Sequence, residues 1–189
     1  MAVFTRMGFH RARMDDIAVE AGLSKGSLYW HFKSKEEIIS AVLLRIFQGY
    51  LGDLKQVVAM SGPADERLRN YIQRAAQDVA NLRRWQPLMA EFYSVATRHA
   101  STRLFLKKYY EQYLDLLAAL IEQGVKDGSF QQADPKQTAF LMASTSEGAI
   151  LLCSLGVCDG DWGEQLETAL FQILDSILVG GEGTTTPTN

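Results

Sequence analysis

The residues best suited to chemistry lie near the amino terminus, at positions 25–32, where their spacing predicts a short helix. At roughly 100° per residue, Leu28 and Phe32 share one face of this helix, which makes that face apolar. The other positions carry cationic, hydroxyl-bearing and aromatic side chains and a glycine: Lys25, Gly26, Ser27, Tyr29, Trp30 and His31. Lysine and hydroxyl groups donate to bases or phosphates, and aromatic carbons contact thymine methyl groups. These types favour contact with a DNA groove; the alternative places Tyr29 and Trp30 in the core of a larger domain.

The elements that must position this helix form a helix-turn-helix. In the preceding segment, Ile17, Ala18 and Ala21 lie at helical spacing, with acidic residues on the opposite side. Gly22 follows, and because it has no Cβ it can adopt the positive φ of a sharp reversal. Ser24 then stands where an N-cap residue is expected. A helix, a glycine-containing turn and a second helix are the layout of this DNA-binding motif.

A long helix is predicted over positions 35–60. Ser34 and Glu37 form a capping box at its start. Lys33 and Lys35 lie at the same end, where free backbone N–H groups and the helix dipole attract an anion. We therefore expect these lysines to bind phosphate; the alternative is that they are solvated surface residues.

The segment IAVEAGLSKGSLYWHFKSKEEIISAVL resembles the DNA-binding segment of the tetracycline-repressor (TetR) family of bacterial transcriptional regulators, without a gap over residues 8–44. The resemblance implies a ligand-responsive DNA-binding regulator, a homodimeric repressor released from a palindromic operator by a small molecule. Base edges would be contacted by Lys25, Gly26, Ser27 and Trp30. Phosphates would be contacted by Arg13, Tyr29, His31, Lys33 and Lys35. VFTRMGF resembles only the last turns of the family's first helix, so we expect native residues to precede Met1; the alternative is a domain less stable than is usual in the family.

Charge is distributed unevenly along the chain. The net charge of the 189 residues is −3, but residues 1–35 hold six Lys and Arg against three acids, a net charge of +3. A basic amino-terminal segment (residues 1–35, called the head below) followed by an acidic remainder is typical of a small DNA-binding domain attached to a domain with a second function. There is no signal peptide and no apolar run of the ~18–20 residues that span a membrane, so we expect a cytoplasmic protein with no membrane partner.

Metal, cofactor and disulfide chemistry are not expected. Three scattered histidines provide no metal-ligand spacing, and no cofactor motif occurs. Two cysteines, Cys153 and Cys158, are too few for a disulfide framework. We expect free thiols that are structural rather than a redox switch.

The pattern of apolar residues and helix breakers predicts an all-α protein. Further helices are expected over 64–84, 88–99, 101–126, 135–155 and 162–178, and no strand pattern occurs. We divide the chain into a helix-turn-helix domain at 1–45 with a truncated first helix, a helical effector-binding and dimerisation domain at 46–179, and a disordered tail at 180–189.

The last two helices are expected to form a homodimer interface. The first of them is rich in small residues that permit close helix approach, and the second carries a full apolar stripe. The family resemblance implies a four-helix bundle across a two-fold axis; the alternative is that both helices complete a monomer core. Two reading helices about 34–36 Å apart would fit a palindromic site.

Aromatic residues are frequent in the middle helices, where a small molecule could bind. An effector site needs apolar walls and a few polar groups. The predicted ligand-binding residues are Phe92, Tyr110, Tyr113, Leu117, Phe140, Ser144 and Glu147. For each of them a place in the core or on the surface is an equal alternative. We expect an apolar or amphiphilic effector.

Two other functions were weighed against a regulator. An enzyme is not predicted, because no nucleophile motif, phosphate-binding glycine loop or cluster of histidine and carboxylate occurs. A small-molecule sensor that acts through a protein partner without binding an operator is the remaining alternative. It predicts a folded dimer that lacks salt-sensitive affinity for DNA.

Overall fold

The computed structural model describes residues 2–82, 93–131, 133–158 and 160–179. Its helices are α1 (Ala2–Met7), α2 (Met14–Glu20), α3 (Lys25–His31), α4 (Lys35–Ala59), α5 (Ala64–Leu82), α6 (Ala100–Asp127), α7 (Pro135–Ser154) and α8 (Trp162–Ile177). Residues 93–98 are also helical. Across these ranges no strand occurs, only an isolated bridge between Phe130 and Leu178. The all-α prediction is confirmed. Residues 88–92 of the helix predicted at 88–99, and the tail predicted at 180–189, lie outside the described residues.

The chain divides into two compact units. One comprises Met1–Leu51 with Leu82–Tyr110, and the other comprises Gly52–Asn81 with Glu111–Asn189. The divisions therefore fall inside α4, before the last residue of α5 and inside α6. Compactness does not show which part folds independently, so the domain boundary at residues 45 and 46 stays a prediction.

The first unit has a core built from its amino-terminal helices. The rings of Phe4 and Phe9 lie 5.7 Å apart, and both side chains are buried. Further along the unit, the rings of Phe47 and Tyr109 lie 4.6 Å apart. The other buried residues of the amino-terminal segment are Val3, Ala12, Ile17, Ala18, Leu28, Ile38, Ile39 and Leu43. The short first helix thus contributes two buried side chains to the support of α2 and α3.

The second unit is held by close helix contacts that two glycines permit. A Cβ at Gly163 would collide with the carbonyl oxygen of Ala76, and one at Gly124 would collide with the ring of Phe130. The stripe predicted on the last helix is largely covered within the unit. Its buried members are Trp162, Leu166, Leu170, Leu174 and Ile177.

The carboxyl end of α4 is anchored by a buried arginine. Arg67, at 8% exposure, donates to the carbonyl oxygens of Val57 at 3.0 Å and Val58 at 3.3 Å. The amide of Gln123 also donates to Val58, at 3.3 Å. Helix ends leave carbonyl groups without intrahelical partners, and these donors satisfy them. The carboxylate of Asp127 accepts a hydrogen bond from the N–H of Ala64, the first residue of α5, at 3.3 Å.

The start of α7 follows the predicted signal. Asp134 is the N-cap residue, and its carboxylate accepts from the N–H groups of Lys136 at 2.9 Å and Gln137 at 3.1 Å. Pro135 occupies the first helical position, where the absence of an N–H has no consequence.

The two cysteines form a disulfide bond, Cys153–Cys158, so the prediction of free thiols is wrong. The chain reverses after α7 through Gly156, whose φ is 77°, and this turn brings the two Cα atoms within 4.6 Å. That separation lies in the range that a disulfide requires. The spacing of five residues did not reveal the pairing, because it depends on how the helix ends.

Candidate nucleic-acid interface

The turn between α2 and α3 is closed by backbone hydrogen bonds and a side-chain cap. Gly22 has a φ of 64°, and the N–H of Leu23 donates to the carbonyl of Ala18 at 2.9 Å. The hydroxyl of Ser24 accepts from the N–H of Ser27 at 3.1 Å, as its position predicted. Leu28 is buried on the inner face of α3. These local features fix which face of α3 remains exposed.

The exposed face of α3 carries the residue types predicted to contact DNA. Trp30 is 77% exposed and Tyr29 is 38% exposed. The Trp30 ring meets the ring of His31 edge-on, with centroids 4.6 Å apart. The remaining predicted residues of this helix are exposed as well: Lys25, Gly26, Ser27 and His31. The structure therefore places Trp30 in solvent rather than in a core.

Two cations of the head are paired with carboxylates of α2. The ammonium of Lys25 lies 2.9 Å from a carboxylate oxygen of Asp15, and both side chains are exposed. This hydrogen bond, together with the charge of Asp15, raises the pKa of Lys25. The guanidinium of Arg6 lies 3.1 Å from Glu20, also at the surface.

Arg13 and Lys33, two of the predicted phosphate ligands, are exposed. Arg13 precedes α2, and its backbone N–H donates to the carboxylate of Asp16 at 2.9 Å. The ammonium of Lys33 donates to the carbonyl of Tyr29 at 3.1 Å. The Ser34 hydroxyl accepts from the backbone N–H of Glu37 at 3.3 Å, which is one of the two hydrogen bonds of the predicted capping box. The carboxylate of Glu37 accepts from the backbone N–H of Lys33 instead of that of Ser34.

Lys35 has a structural role in addition to any contact with DNA. Its ammonium donates to the carbonyl oxygens of Phe9 at 2.8 Å and His10 at 3.2 Å, and it lies 4.7 Å from the centroid of the Phe9 ring. The side chain is half-buried. It therefore ties the start of α4 to the segment that follows α1, and its role as a phosphate ligand stays a prediction.

A shallow depression adjoins the start of α4. The depression is lined by His10, Arg11, Ala12, Arg13, Met14, Ser34, Lys35 and Glu36. The cationic side chains in this lining make the depression a suitable neighbour for a phosphate backbone.

Glu36 is the acidic residue of this lining. A backbone hydrogen bond holds the pKa of its carboxyl below the usual range, and the Ser34 hydroxyl and the charges of Lys35 and Arg98 act in the same direction.

The predicted effector-binding residues are distributed over both units. Tyr110 belongs to the first, where its hydroxyl lies 3.5 Å from that of Tyr93. Phe92 lies outside the described residues. The other five belong to the second unit, and among them Leu117 is fully buried.

A polar cluster in the second unit brings together side chains from three helices. Burial raises the pKa of the Tyr113 hydroxyl, the negative charge of Glu147 adds to this effect, and a hydrogen bond with Tyr71 opposes it. Tyr113 and Glu147 were both predicted to bind ligand, whereas Tyr71 was not. The sequence did offer a signal for Tyr71, because it lies three residues after Leu68 and one before Ile72 on α5. The structure buries both of these apolar residues.

The remaining two predicted ligand residues are exposed on α7. Phe140 is 59% exposed, and Ser144 is exposed one turn later. Phe140 lines a surface groove together with Glu111, Leu114, Asp115, Lys136 and Gln137.

In the described part of the chain, no helix is long and apolar enough to cross a membrane.

Known proteins resemble this chain along much of its length. Residues 1–42 match the family described as "Bacterial regulatory proteins, tetR family". Residues 64–148 match the family described as "Tetracyclin repressor-like, C-terminal domain". The two matches together cover about two thirds of the chain.

Two relatives illustrate the sequence similarity. The HTH-type transcriptional regulator YfiR of Bacillus subtilis (strain 168) is 27% identical over 143 residues, which are 72% of this chain and 66% of that protein. The chain thus spans slightly less than two thirds of that relative. The HTH-type transcriptional repressor KstR2 of Rhodococcus jostii (strain RHA1) is 26% identical over 141 residues, 73% of this chain and 67% of that protein.

Two solved structures illustrate the similarity in fold. A TetR transcription regulator from Haloarcula marismortui superposes with a TM-score of 0.81 at 16% identity, over 94% of this chain and 93% of that one. The transcriptional regulator FadR from Bacillus subtilis, in complex with stearoyl-CoA, superposes with a TM-score of 0.70 at 18% identity, over 96% of this chain and 95% of that one.

Proposed function

Because the chain belongs to the TetR family of transcriptional regulators, we propose that it is a homodimeric repressor released from a palindromic operator by a small molecule. The observation that carries the proposal is the exposed face of α3. A tryptophan that is 77% exposed, next to a lysine and hydroxyl groups, is poorly placed for stability and well placed for a DNA groove.

In this proposal α3 reads the major groove and its surroundings hold the backbone. Base edges are contacted by Lys25, Gly26, Ser27 and Trp30. Phosphates are contacted by Arg13, Tyr29, His31, Lys33 and Lys35. Phosphate contacts set the register of the helix, and base contacts supply the sequence preference.

The homodimer forms through the last two helices, with α7 supplying most of the apolar contact. The exposed apolar side chains of α7 and its end are Phe140, Leu141, Leu151, Leu152 and Leu155. The apolar stripe of α8 is instead mostly buried within its own unit. An exposed stripe of this kind marks a protein interface more often than a solvated surface.

The effector is an apolar or amphiphilic molecule that binds in the second part of the chain. The stearoyl-CoA complex of the similar FadR structure supports an amphiphilic ligand. Tyr113 and Glu147 provide polar groups for orientation, and Leu117 lies on the same helix as Tyr113. The further ligand contacts in this proposal are Phe92, Tyr110, Phe140 and Ser144.

Control by the effector acts through α4. This helix extends without a break from Lys35, in the head, to Val57 and Val58. Arg67 donates a hydrogen bond to the carbonyl of Val57, and Gln123 donates one to that of Val58. An effector that binds the released conformation better than the operator-bound one shifts the equilibrium towards release. A regulator of this kind works in the cytoplasm, where the DNA is.

Selection of bound duplexes from a random DNA library, at two salt concentrations, tests the proposal. A palindromic site with half-sites one or more helical turns apart, and an affinity that falls steeply with salt, is the expected result. Failure to enrich any duplex would contradict operator binding. It would favour a small-molecule sensor that acts through a protein partner.

A further inference from the structure

The pairing of Lys25 with Asp15 sets the position of a cation at the start of the reading helix. Asp15 lies in the first turn of α2 and Lys25 is the first residue of α3, so the contact at 2.9 Å spans the helix-turn-helix. Both side chains keep more than half of their surface exposed, at 64% for Lys25 and 56% for Asp15. The pair is therefore open to a third partner.

An unpaired lysine would discriminate poorly between bases and phosphates. Its ammonium is a point charge on a flexible four-carbon stem, and phosphates attract such a charge at any sequence. Base edges, in contrast, must be reached by a donor in a defined position. A lysine that contacts phosphate adds affinity for every duplex and adds no sequence preference.

The carboxylate of Asp15 changes both properties of Lys25. One of the three N–H donors of the ammonium is used by Asp15, which leaves two for acceptors on a base. The negative charge also offsets the attraction of the ammonium for phosphate. The contact restricts the stem to conformations near the start of α3.

We propose that Asp15 is a positioning residue for base recognition, which holds the Lys25 ammonium so that it donates to a base edge instead of a phosphate. This inference rests on the proposed operator binding and specifies how one of its contacts gains selectivity. Guanine, with its O6 and N7 acceptors, is the base that suits the two remaining donors.

Asp15→Asn tests the inference, because it removes the charge and keeps the size of the side chain. Lys25→Met first identifies, by selection from a random library, the operator position that Lys25 reads. At that position Asp15→Asn is expected to weaken the base preference. Its affinity for a random-sequence duplex rises, on the order of threefold to tenfold, and the salt dependence steepens by about 0.9 per protomer, because Lys25 now contacts phosphate.

Glu20→Gln is the matched control. It changes the net charge by the same amount and breaks the Arg6–Glu20 pair, which is also exposed and also in the head. This variant is expected to keep the wild-type base preference at every position. Asp15→Glu, which retains the carboxylate, is expected to restore most of the preference. Far-ultraviolet circular dichroism of each variant checks that the fold is retained.

Three results separate this inference from the proposed function. Retention of the wild-type preference in Asp15→Asn, or equal effects of Asp15→Asn and Glu20→Gln, overturns the positioning role. A Lys25→Met variant with unchanged preference at all positions overturns it too, while enrichment by the wild-type protein still supports operator binding. If the wild-type protein enriches no duplex, the proposed function fails, and the inference fails with it.

Discussion

Trp30 exposes 77% of its surface, although proteins bury most of the area of such a side chain. Nothing in its position on α3 contributes to the core, which Leu28 enters from the opposite face. At the scale of single residues, the proposed recognition of DNA and the packing of the core therefore depend on different side chains of one short helix.

Trp30→Ala is expected to weaken operator binding by tenfold or more, on the order of the energy of one aromatic contact with bases, without lowering the thermal stability. Trp162→Ala is the control, since Trp162 is buried and its loss should lower stability by about 3–5 kcal/mol. Gel-shift titration and thermal unfolding measure the two effects. A marked loss of stability in Trp30→Ala would assign the residue to the core.

Asp78 and Asp53 illustrate an unfavourable electrostatic interaction between two like charges. Burial and the charge of Asp53 raise the pKa of Asp78 in the folded protein. A carboxyl whose folded pKa is raised contributes stability below its unfolded pKa, and this contribution is lost as the pH rises through the folded pKa.

Asp78→Asn is therefore expected to stabilise the protein at pH 7, by a few tenths of a kcal/mol, since the group is largely exposed and screened. The gain should vanish below the model-compound pKa of 3.8, where Asp78 is protonated in both states. Thermal unfolding at pH 7 and pH 3 measures it, with Asp115→Asn on α6 as the control. A gain of equal size at both pH values would refute the electrostatic explanation.

At the scale of elements, α4 depends on contacts at both of its ends. Lys35 ties its start to carbonyls of the segment after α1, and Arg67 satisfies carbonyls at its other end. The partners of Lys35 lie 25 and 26 residues away in the sequence, and those of Arg67 lie 9 and 10 residues away. A helix of 25 residues is thus fixed in its length and limits by residues of other elements.

Arg67→Met is expected to lower the free energy of unfolding by about 1–3 kcal/mol, because it removes two hydrogen bonds from a charged donor, a buried one to Val57 and a part-buried one to Val58. Arg69→Met is the matched control two residues along the same helix. Arg69 forms an exposed pair with Asp175 at 3.3 Å, and its loss should change stability by less than about 1 kcal/mol. Urea denaturation compares the two, and similar values would argue against the anchoring role of Arg67.

Local signals predicted the elements well, and contacts between elements much less well. Gly22, Ser24 and the Asp134–Pro135 pair mark helix limits through the backbone around them, so their meaning can be read from a few residues. The Lys25–Asp15 pair and the Tyr71–Tyr113 contact depend on how helices pack, which periodicity does not specify. The disulfide was missed for the same reason.

At the scale of the whole molecule, the covered stripe of α8 and the exposed stripe of α7 change the expected division of work in the dimer. The sequence predicts an interface formed by both helices, α7 through its small residues and α8 through its apolar stripe. The inner residues of α8 are already buried, so in the proposed dimer the further apolar area removed from water comes mainly from α7.

Leu151→Glu is expected to convert the proposed dimer to a monomer, since Leu151 is 58% exposed on α7 and its replacement would place a charge in the interface. Gln73→Glu on the exposed side of α5, outside the two helices proposed to form the interface, is the control and should leave the dimer intact. Sedimentation velocity at micromolar concentration distinguishes the two species. A dimeric Leu151→Glu variant would place the interface elsewhere.

The contrast between the two described tryptophans has a further, optical consequence. Trp30 lies in water and Trp162 in a core, so their fluorescence emission should differ in wavelength, with Trp30 at the red end. Occupation of the α3 face by a duplex would exclude water from one fluorophore and leave the other unchanged. The protein thus carries its own reporter for the surface on which its recognition of DNA is proposed to depend.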